Sequence, residues 1–211
     1  MTSSYCTFYI VRHGETEWNI QQRLQGHADS PLTQNGIAQA RERARTFANI
    51  QFDEVFSSDV SRTQRTAEII IADQKIAVKT TQLLREHSYG KYEGRKVEEY
   101  LEELKDMIAK RETLAADEQA KFRLADDIET DEEVSTRIIT FLRTTAVAYQ
   151  GKKVLVVSHG GTMRSLLVRL GFATKKELPP HSLKNTGYFI LDSDGVDFFI
   201  RETCGVAKVS I

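Results

Sequence analysis

Two short, mostly apolar runs, each followed within three residues by a histidine and a glycine, constrain this chain more than any other feature. Residues 8–11 are apolar, and residues 153–158 are apolar except at their two ends, so both are predicted to be buried strands. A core would not select the polar residues that come next, among them His13 and His159. A helix is predicted over residues 163–170, directly after the second run. The chain is therefore expected to alternate strands with helices.

The rest of the chain continues this alternation. Thr33 is predicted to cap one helix, and Thr130 forms a capping box with Glu133 at the start of another. The pattern implies an α/β fold: a three-layer sandwich with a mostly parallel central sheet and helices on both faces. The remaining predicted elements are a helix from Thr33 to about residue 49, a strand over 53–58, a helix through 66–70, a weaker strand over 75–80, a helix over 97–108, a helix from Thr130 to about 146, and a hairpin of strands 188–191 and 196–204.

Residues 91–130 interrupt the alternation. Their second half, residues 109–127, is rich in Ala, Lys, Glu and Asp and has few large apolar side chains. We therefore expect a helical lid inserted into the sheet domain. Lys91, Lys110 and Arg111 are candidates to receive a second anionic group of a substrate, although solvated surface charges are the favoured interpretation.

Length and composition limit the classes of function. With 211 residues, of which 40% are hydrophobic and 28% charged, the chain is predicted to form a single domain over residues 1–211. A formal net charge of −1 predicts no affinity for nucleic acid or an anionic membrane. The sequence shows no leader pattern and no apolar stretch that could span a bilayer, so we expect a cytoplasmic protein. Cys6 and Cys204 have neither metal nor redox spacing, and no metal or cofactor is expected.

Polar side chains that suit phosphate chemistry follow four predicted strands. Arg12 and His13 follow the first, Arg62 follows the second, Glu86 follows the third and His159 follows the fourth. Because ligands of such sheets bind beyond the carboxyl ends of the strands, we expect these side chains to share one site. Guanidinium groups bind phosphate oxygens, an imidazole can act as nucleophile and a carboxylate can move protons. The sequence therefore predicts an enzyme that handles phosphate.

Four motifs surround these residues and carry a resemblance to a known family. Together they resemble the signatures of the histidine phosphatase superfamily, in its phosphoglycerate-mutase-like branch, and they cover most of the chain. The motifs are Arg12, His13, Gly14, Glu15 and Thr16 with Asn19; Ser57, Ser58 and Asp59 with Arg62, Gln64, Thr66 and Ala67; Leu84, Arg85 and Glu86 with Gly90, Glu93 and Gly94; and Ser158, His159, Gly160 and Gly161 with Arg164.

The resemblance implies a mechanism and a set of site residues. It implies that His13 becomes phosphorylated, that Arg12, Arg62 and His159 hold the phosphate, and that Glu86 acts as acid and then as base. Because the phosphate oxygens carry negative charge, we expect His159 to be protonated. Cationic side chains would then make a metal ion unnecessary. The phosphate-binding positions that it implies are Arg12, Asn19, Gln25, Gly26, Arg62, His159 and Gly160.

Three departures separate this chain from the mutases of the family. Gln25 stands where they usually carry Ser or Thr, Gly161 stands where they usually carry Asn, and the segment between Glu86 and His159 looks shorter than their lid. We therefore expect a phosphatase that hydrolyses phosphate monoesters of small metabolites, acting alone or as a homodimer. A cofactor-dependent phosphoglycerate mutase is the first alternative, and a catalytically silent module that binds a phosphorylated ligand is the second.

Four aromatic residues near these motifs receive a plain structural interpretation. His27, His87 and His181 are interpreted as polar loop residues, with contact between His87 and substrate left open. Trp18 is interpreted as an aromatic side chain that packs a loop.

Overall fold

A six-stranded mixed sheet forms the centre of the computed structural model, which describes residues 5–210. The strands lie in the order β3-β2-β4-β1-β5-β6. The first four are mutually parallel, while β5 and β6 run antiparallel at one edge. In chain order they are β1 (Cys6–Arg12), β2 (Glu54–Ser58), β3 (Val78–Thr81), β4 (Lys153–Ser158), β5 (Leu183–Ser193) and β6 (Phe198–Val206).

Helices cover both faces of this sheet. They are α1 (Glu17–Ile20), α2 (Gln34–Thr46), α3 (Ser61–Ile70), α4 (Val97–Glu103), α5 (Lys105–Glu112), α6 (Ala116–Lys121), α7 (Asp131–Ala148) and α8 (Gly160–Arg169), with short 3-10 turns at Gln82–Leu84 and Gly90–Tyr92. The predicted three-layer α/β sandwich is confirmed.

Alternating side chains of β1 enter two separate cores. Phe8 and Ile10 pack with residues of α7 and α8, whereas Tyr9 and Val11 pack with residues of α3 and the end of α2. Side chains of a strand point alternately to the two faces of a sheet, so a strand that is apolar at every position must be covered on both. The short apolar runs therefore identify the buried middle of the sheet.

The carboxyl ends of the central strands meet at one level. The register pairs Arg12 at the end of β1 with Ser158 at the end of β4, and β2 ends beside them. Each of these strands is followed by a loop or helix that carries predicted site residues. The sheet therefore brings together segments that lie more than a hundred residues apart.

Several predicted boundaries are wrong. The single helix predicted over residues 97–108 is two helices, because the backbone leaves the helical conformation at Leu104. The Leu104 side chain is buried in a small core of the insertion, with Tyr92, Leu124 and Ile128. Tertiary packing thus overrides a local helical pattern. Strand β3 is shorter than predicted, β5 begins earlier, and α8 begins directly after His159.

The insertion, residues 91–130, is helical as expected and has its own apolar cluster. Its movement as a lid stays a prediction. Within residues 5–210, no helix combines the length and apolar character that a bilayer crossing would need.

Candidate active site

His13 lies at the carboxyl end of β1, where its side chain is buried. Its Nδ1 lies 2.7 Å from the carbonyl oxygen of Gly14. A carbonyl only accepts, so Nδ1 carries the proton and Nε2 keeps an available lone pair. Burial, with the nearby charges of Arg62 and Arg12, lowers the pKa of His13 well below its ordinary value of 6.5. The imidazole is therefore neutral and suited to act as a nucleophile.

Arg62 is a fully buried guanidinium on the first turn of α3. Its Nη2 donates to the carbonyl of Gly26 at 2.8 Å and to Nδ1 of His159 at 3.2 Å. Its Nη1 donates to the carbonyl of Ala28 at 2.6 Å and to Oδ1 of Asp29 at 3.1 Å. These four contacts fix the guanidinium in one orientation, because the planar group has no remaining freedom to rotate.

The contact with Arg62 also determines the form of His159. A guanidinium cannot accept a hydrogen bond, so Nδ1 of His159 is the acceptor and its proton lies on Nε2. Burial and the charge of Arg62 lower the pKa of His159 well below 6.5. In this geometry the ring is neutral and donates from Nε2, and a protonated His159 beside a bound phosphate stays a prediction. The rings of His13 and His159 lie 5.3 Å apart between centroids.

Three buried N–H donors converge without a partner among the described residues: Nε of Arg12, Nε of Arg62 and Nε2 of His159. Leaving such donors unpaired is costly, so a site that holds three of them is built to receive an acceptor. Nη1 of Arg12 donates to the carbonyl of Leu183 at 2.5 Å. A Cβ at Gly160 would lie 3.0 Å from Nε of Arg12, so glycine leaves room for this guanidinium.

Glu86 is held at the start of α8 by backbone donors. Its Oε2 accepts from the N–H of Gly161 at 2.9 Å, and its Oε1 accepts from the N–H groups of Thr162 and His87 at 2.9 Å each. A Cβ at Gly161 would lie only 2.7 Å from Oε1, so the carboxylate rests against the bare backbone. Since the His159 side chain does not cap α8, the Glu86 carboxylate takes that place.

Asn19 and Gln25 lie at the edge of this cluster. Oδ1 of Asn19 accepts from the N–H of Thr16 at 3.1 Å and from Nδ2 of Asn185 at 3.3 Å. Oε1 of Gln25 is buried and has no partner among the described residues. Their direct contact with phosphate stays a prediction.

Gly26 contributes through its backbone. Its φ of +54° lies in the left-handed region, and its carbonyl accepts from Arg62. A Cβ there would lie 2.2 Å from Oε1 of Glu93. Gly26 therefore orients the Arg62 guanidinium, and a phosphate contact of its own stays a prediction.

Sequence reasoning missed residues that hold the site together. Glu93 accepts from the N–H groups of His27, Ala28 and Tyr89 at 2.9–3.1 Å, and so joins the insertion to the loop behind Arg62. Glu93 belongs to one of the four sequence motifs, but the sequence alone assigned it no role. Asn185 donates to the carbonyl of His13 at 3.2 Å, and no local signal in the sequence marks it.

Gly14 allows close packing of the loop that follows β1. A Cβ at Gly14 would lie 2.6 Å from the carbonyl oxygen of Gly36. The missing side chain therefore lets the loop after β1 pack against the first turn of α2. The N–H of Gly14 donates to Oγ1 of Thr66 at 3.0 Å, which ties the same loop to α3.

The aromatic residues divide between expected and unexpected roles. His181 is exposed in a loop, and Trp18 packs beside Gly94, as predicted. His27 does more than expected, because its Nε2 lies 3.0 Å from the carbonyl oxygen of Glu86. His87 lies in a loop, as predicted, and is half-buried against the ring of Tyr89.

The arrangement can carry out phosphoryl transfer to a side chain. It combines a neutral imidazole, two guanidinium groups, a second imidazole that donates, and a nearby carboxylate. Within residues 5–210, no group of three or more His, Cys, Asp and Glu side chains could hold a metal ion. The positive charge available to a phosphate here comes from Arg12 and Arg62.

Comparisons with known proteins agree with this geometry. Residues 8–204 match the family model of the histidine phosphatase superfamily (branch 1). The chain is 34% identical to the uncharacterized phosphatase PhoE of Bacillus subtilis over 161 residues, 76% of this chain and 75% of that one. It is 35% identical to the probable phosphoglycerate mutase GpmB of Salmonella arizonae over 152 residues, 72% of this chain and 68% of that one. The structure of Bacillus stearothermophilus YhfR superposes with a TM-score of 0.80 at 26% identity, covering 92% of this chain and 95% of that one.

Proposed function

Since this chain belongs to the histidine phosphatase superfamily, we propose that it is a metal-independent phosphatase that hydrolyses phosphate monoesters of small metabolites through a phosphohistidine. One observation carries the proposal: three unpaired buried N–H donors converge beside a neutral His13 whose Nε2 is available for attack. The donors suit the oxygens of a phosphoryl group, and the nitrogen suits its phosphorus.

In the first step, Nε2 of His13 attacks phosphorus in line. The N–P bond forms while the bond from phosphorus to the ester oxygen breaks, and Glu86 gives its proton to the leaving oxygen. Arg12, Arg62 and Nε2–H of His159 meet the negative charge on the phosphoryl oxygens. The proton on Nδ1 of His13 stays with the carbonyl of Gly14, which keeps the ring oriented during attack.

In the second step, water attacks the phosphohistidine. Glu86, now ionised, takes a proton from the water while the N–P bond breaks and phosphate leaves. The same carboxylate therefore serves both steps, and its backbone donors on α8 keep it in place between them. Hydrolysis restores neutral His13 and protonated Glu86.

The position of Glu86 supports a phosphatase over a mutase. An asparagine at position 161, as the mutases usually carry, would place its Cβ 2.7 Å from Oε1 of Glu86. The Glu86 side chain would have to move, so the observed position of its carboxylate requires glycine at position 161. Transfer back to a reoriented substrate would also require water to be excluded from the intermediate.

The test is turnover of an aryl phosphate in the presence of a metal chelator, with trapping of the phosphoenzyme. We expect activity to survive the chelator and His13→Ala to abolish both turnover and the acid-labile phosphoenzyme. His181→Ala is the matched control, because that imidazole is exposed in a loop outside the site. Near-normal turnover by the His13 variant would overturn the nucleophile assignment, and loss of activity that a divalent ion restores would overturn metal independence.

A second assay separates hydrolysis from mutase activity. The enzyme is given 3-phosphoglycerate with a catalytic amount of 2,3-bisphosphoglycerate, and both 2-phosphoglycerate and free phosphate are followed. We expect release of phosphate with little interconversion. Rapid interconversion with negligible phosphate release would replace the phosphatase by a mutase while leaving the role of His13 in place.

A further inference from the structure

A small cavity of about 100 Å³ lies next to Glu86, since it is lined by His87 and by Gly161. Gly161 lines this cavity and also donates to Glu86, so the cavity is continuous with the acid–base side of the site. Residues of the insertion, of α7 and of α8 form its walls.

Three cationic side chains surround a single carboxylate here. Arg111 and Lys175 both contact the carboxylate of Asp131. Arg164 lines the same cavity, donates to the carbonyls of Leu178 and Lys175, and forms no ion pair within residues 5–210. The interpretation of Arg111 as a solvated surface charge is therefore wrong, whereas Lys91 and Lys110 are exposed as expected.

The other carboxylate in the wall does not balance this excess. Glu129 is paired with Arg137 at 3.1 Å and accepts from the N–H of Ser88 at 2.8 Å. On the phosphate side, the charge of Glu86 is met by Arg12 and Arg62. Arg111, Lys175 and Arg164 carry three positive charges, and Asp131 carries one negative charge. The net charge of this group is therefore about +2.

Keeping such an excess away from water is unfavourable unless something offsets it. Burial lowers the pKa of Lys175 and of Arg164, which is the sign of that cost. An anion in the cavity would pair with Arg164, which has no carboxylate of its own, and would share Lys175 and Arg111 with Asp131.

Building on the proposed function, we propose that this cavity binds a second anionic group, a carboxylate or a second phosphate, on the alcohol part of the substrate. Arg164, Lys175 and Arg111 would hold that group while the scissile phosphate lies against Arg12, Arg62 and His159. The half-buried rings of His87 and Tyr89 line the same pocket. The enzyme would then prefer small phosphate esters that carry two anionic groups.

The experiment compares kcat/KM for matched pairs of esters. One pair is 3-phosphoglycerate and glycerol 3-phosphate, which differ by a carboxylate. The other is propane-1,3-diol bisphosphate and 3-hydroxypropyl phosphate, which differ by a second phosphate. We expect the doubly anionic member of at least one pair to be favoured by about tenfold or more, as a charged hydrogen bond would give. The pair with the larger ratio identifies the anion.

Lys175→Met tests the site, with Lys176→Met as the matched control. The two lysines are neighbours, but Lys175 contacts Asp131, which lines the cavity, whereas Lys176 is exposed. We expect Lys175→Met to reduce the preference for the doubly anionic ester by about tenfold. Lys176→Met should leave the preference as it is in the wild type.

Two results would overturn the inference. One is a wild-type enzyme that hydrolyses both members of each pair equally well. The other is a Lys175→Met enzyme in which kcat/KM falls in parallel for both members, which a structural role would produce. Either result leaves the phosphatase proposal intact, because that proposal is tested separately by the hydrolysis of an aryl phosphate through His13.

Discussion

Gly161→Ala should separate the position of Glu86 from the stability of the fold. The added Cβ would lie 2.7 Å from Oε1 and 3.2 Å from Cδ of Glu86, whereas ordinary contacts begin at 3.4 Å. The carboxylate must therefore move by about 0.7 Å. Misplacing a catalytic group by 1 Å can cost about a hundredfold in rate, so we expect kcat to fall by roughly ten- to a hundredfold.

Stability should change in the opposite direction. Gly161 lies in the first turn of α8, and its φ is not in the left-handed region, so alanine fits the backbone there. Alanine is favoured over glycine in a helix by about 1 kcal/mol. Displacement of Glu86 offsets part of this gain, and we expect the melting temperature to stay level or rise while activity falls.

The assay follows kcat and the inhibition constant of inorganic phosphate, together with the melting temperature. Gly160→Ala is the matched variant, because its Cβ would lie 3.0 Å from Nε of Arg12 and away from Glu86. We expect Gly160→Ala to weaken inhibition by phosphate, and Gly161→Ala to leave that inhibition nearly unchanged. Full kcat in Gly161→Ala would show that proton transfer does not depend on the observed position of the Glu86 carboxylate. A lowered melting temperature would instead indicate that the substitution destabilises the fold.

Two further predictions concern proton transfer and pH. Glu86→Gln should slow turnover by roughly a hundred- to ten-thousandfold while inhibition by inorganic phosphate is largely retained, and loss of both together would contradict a role limited to protons. His13 and His159 are buried with pKa values well below 6.5, so the unfolded chain binds more protons than the folded one as the pH falls below that value. The melting temperature should therefore decrease on acidification from about pH 7 to pH 5. A His159→Gln variant should show a shallower decrease. An equally steep decrease in that variant would show that His159 does not contribute to the pH dependence.

Local sequence signals determined the elements of the sheet and most of the catalytic side chains. The apolar runs that became β1 and β4 are buried on both faces, and Thr33 caps α2 as the pattern predicts. His13 and His159 could be recognised because each directly follows such a strand. Such features can be recognised in the sequence because an apolar strand pattern and a helix cap each involve residues within a few positions of each other.

Tertiary structure alone decided the protonation of the site and the shape of its leaving-group side. Neutral His159 follows from its contact with Arg62, which lies 97 positions away in the chain, and Asn185 reaches His13 across 172 positions. The cluster of Arg111, Lys175 and Asp131 joins three separate segments. No periodicity or spacing encodes such pairs, because their geometry is set by how the sheet, α8 and the insertion pack together.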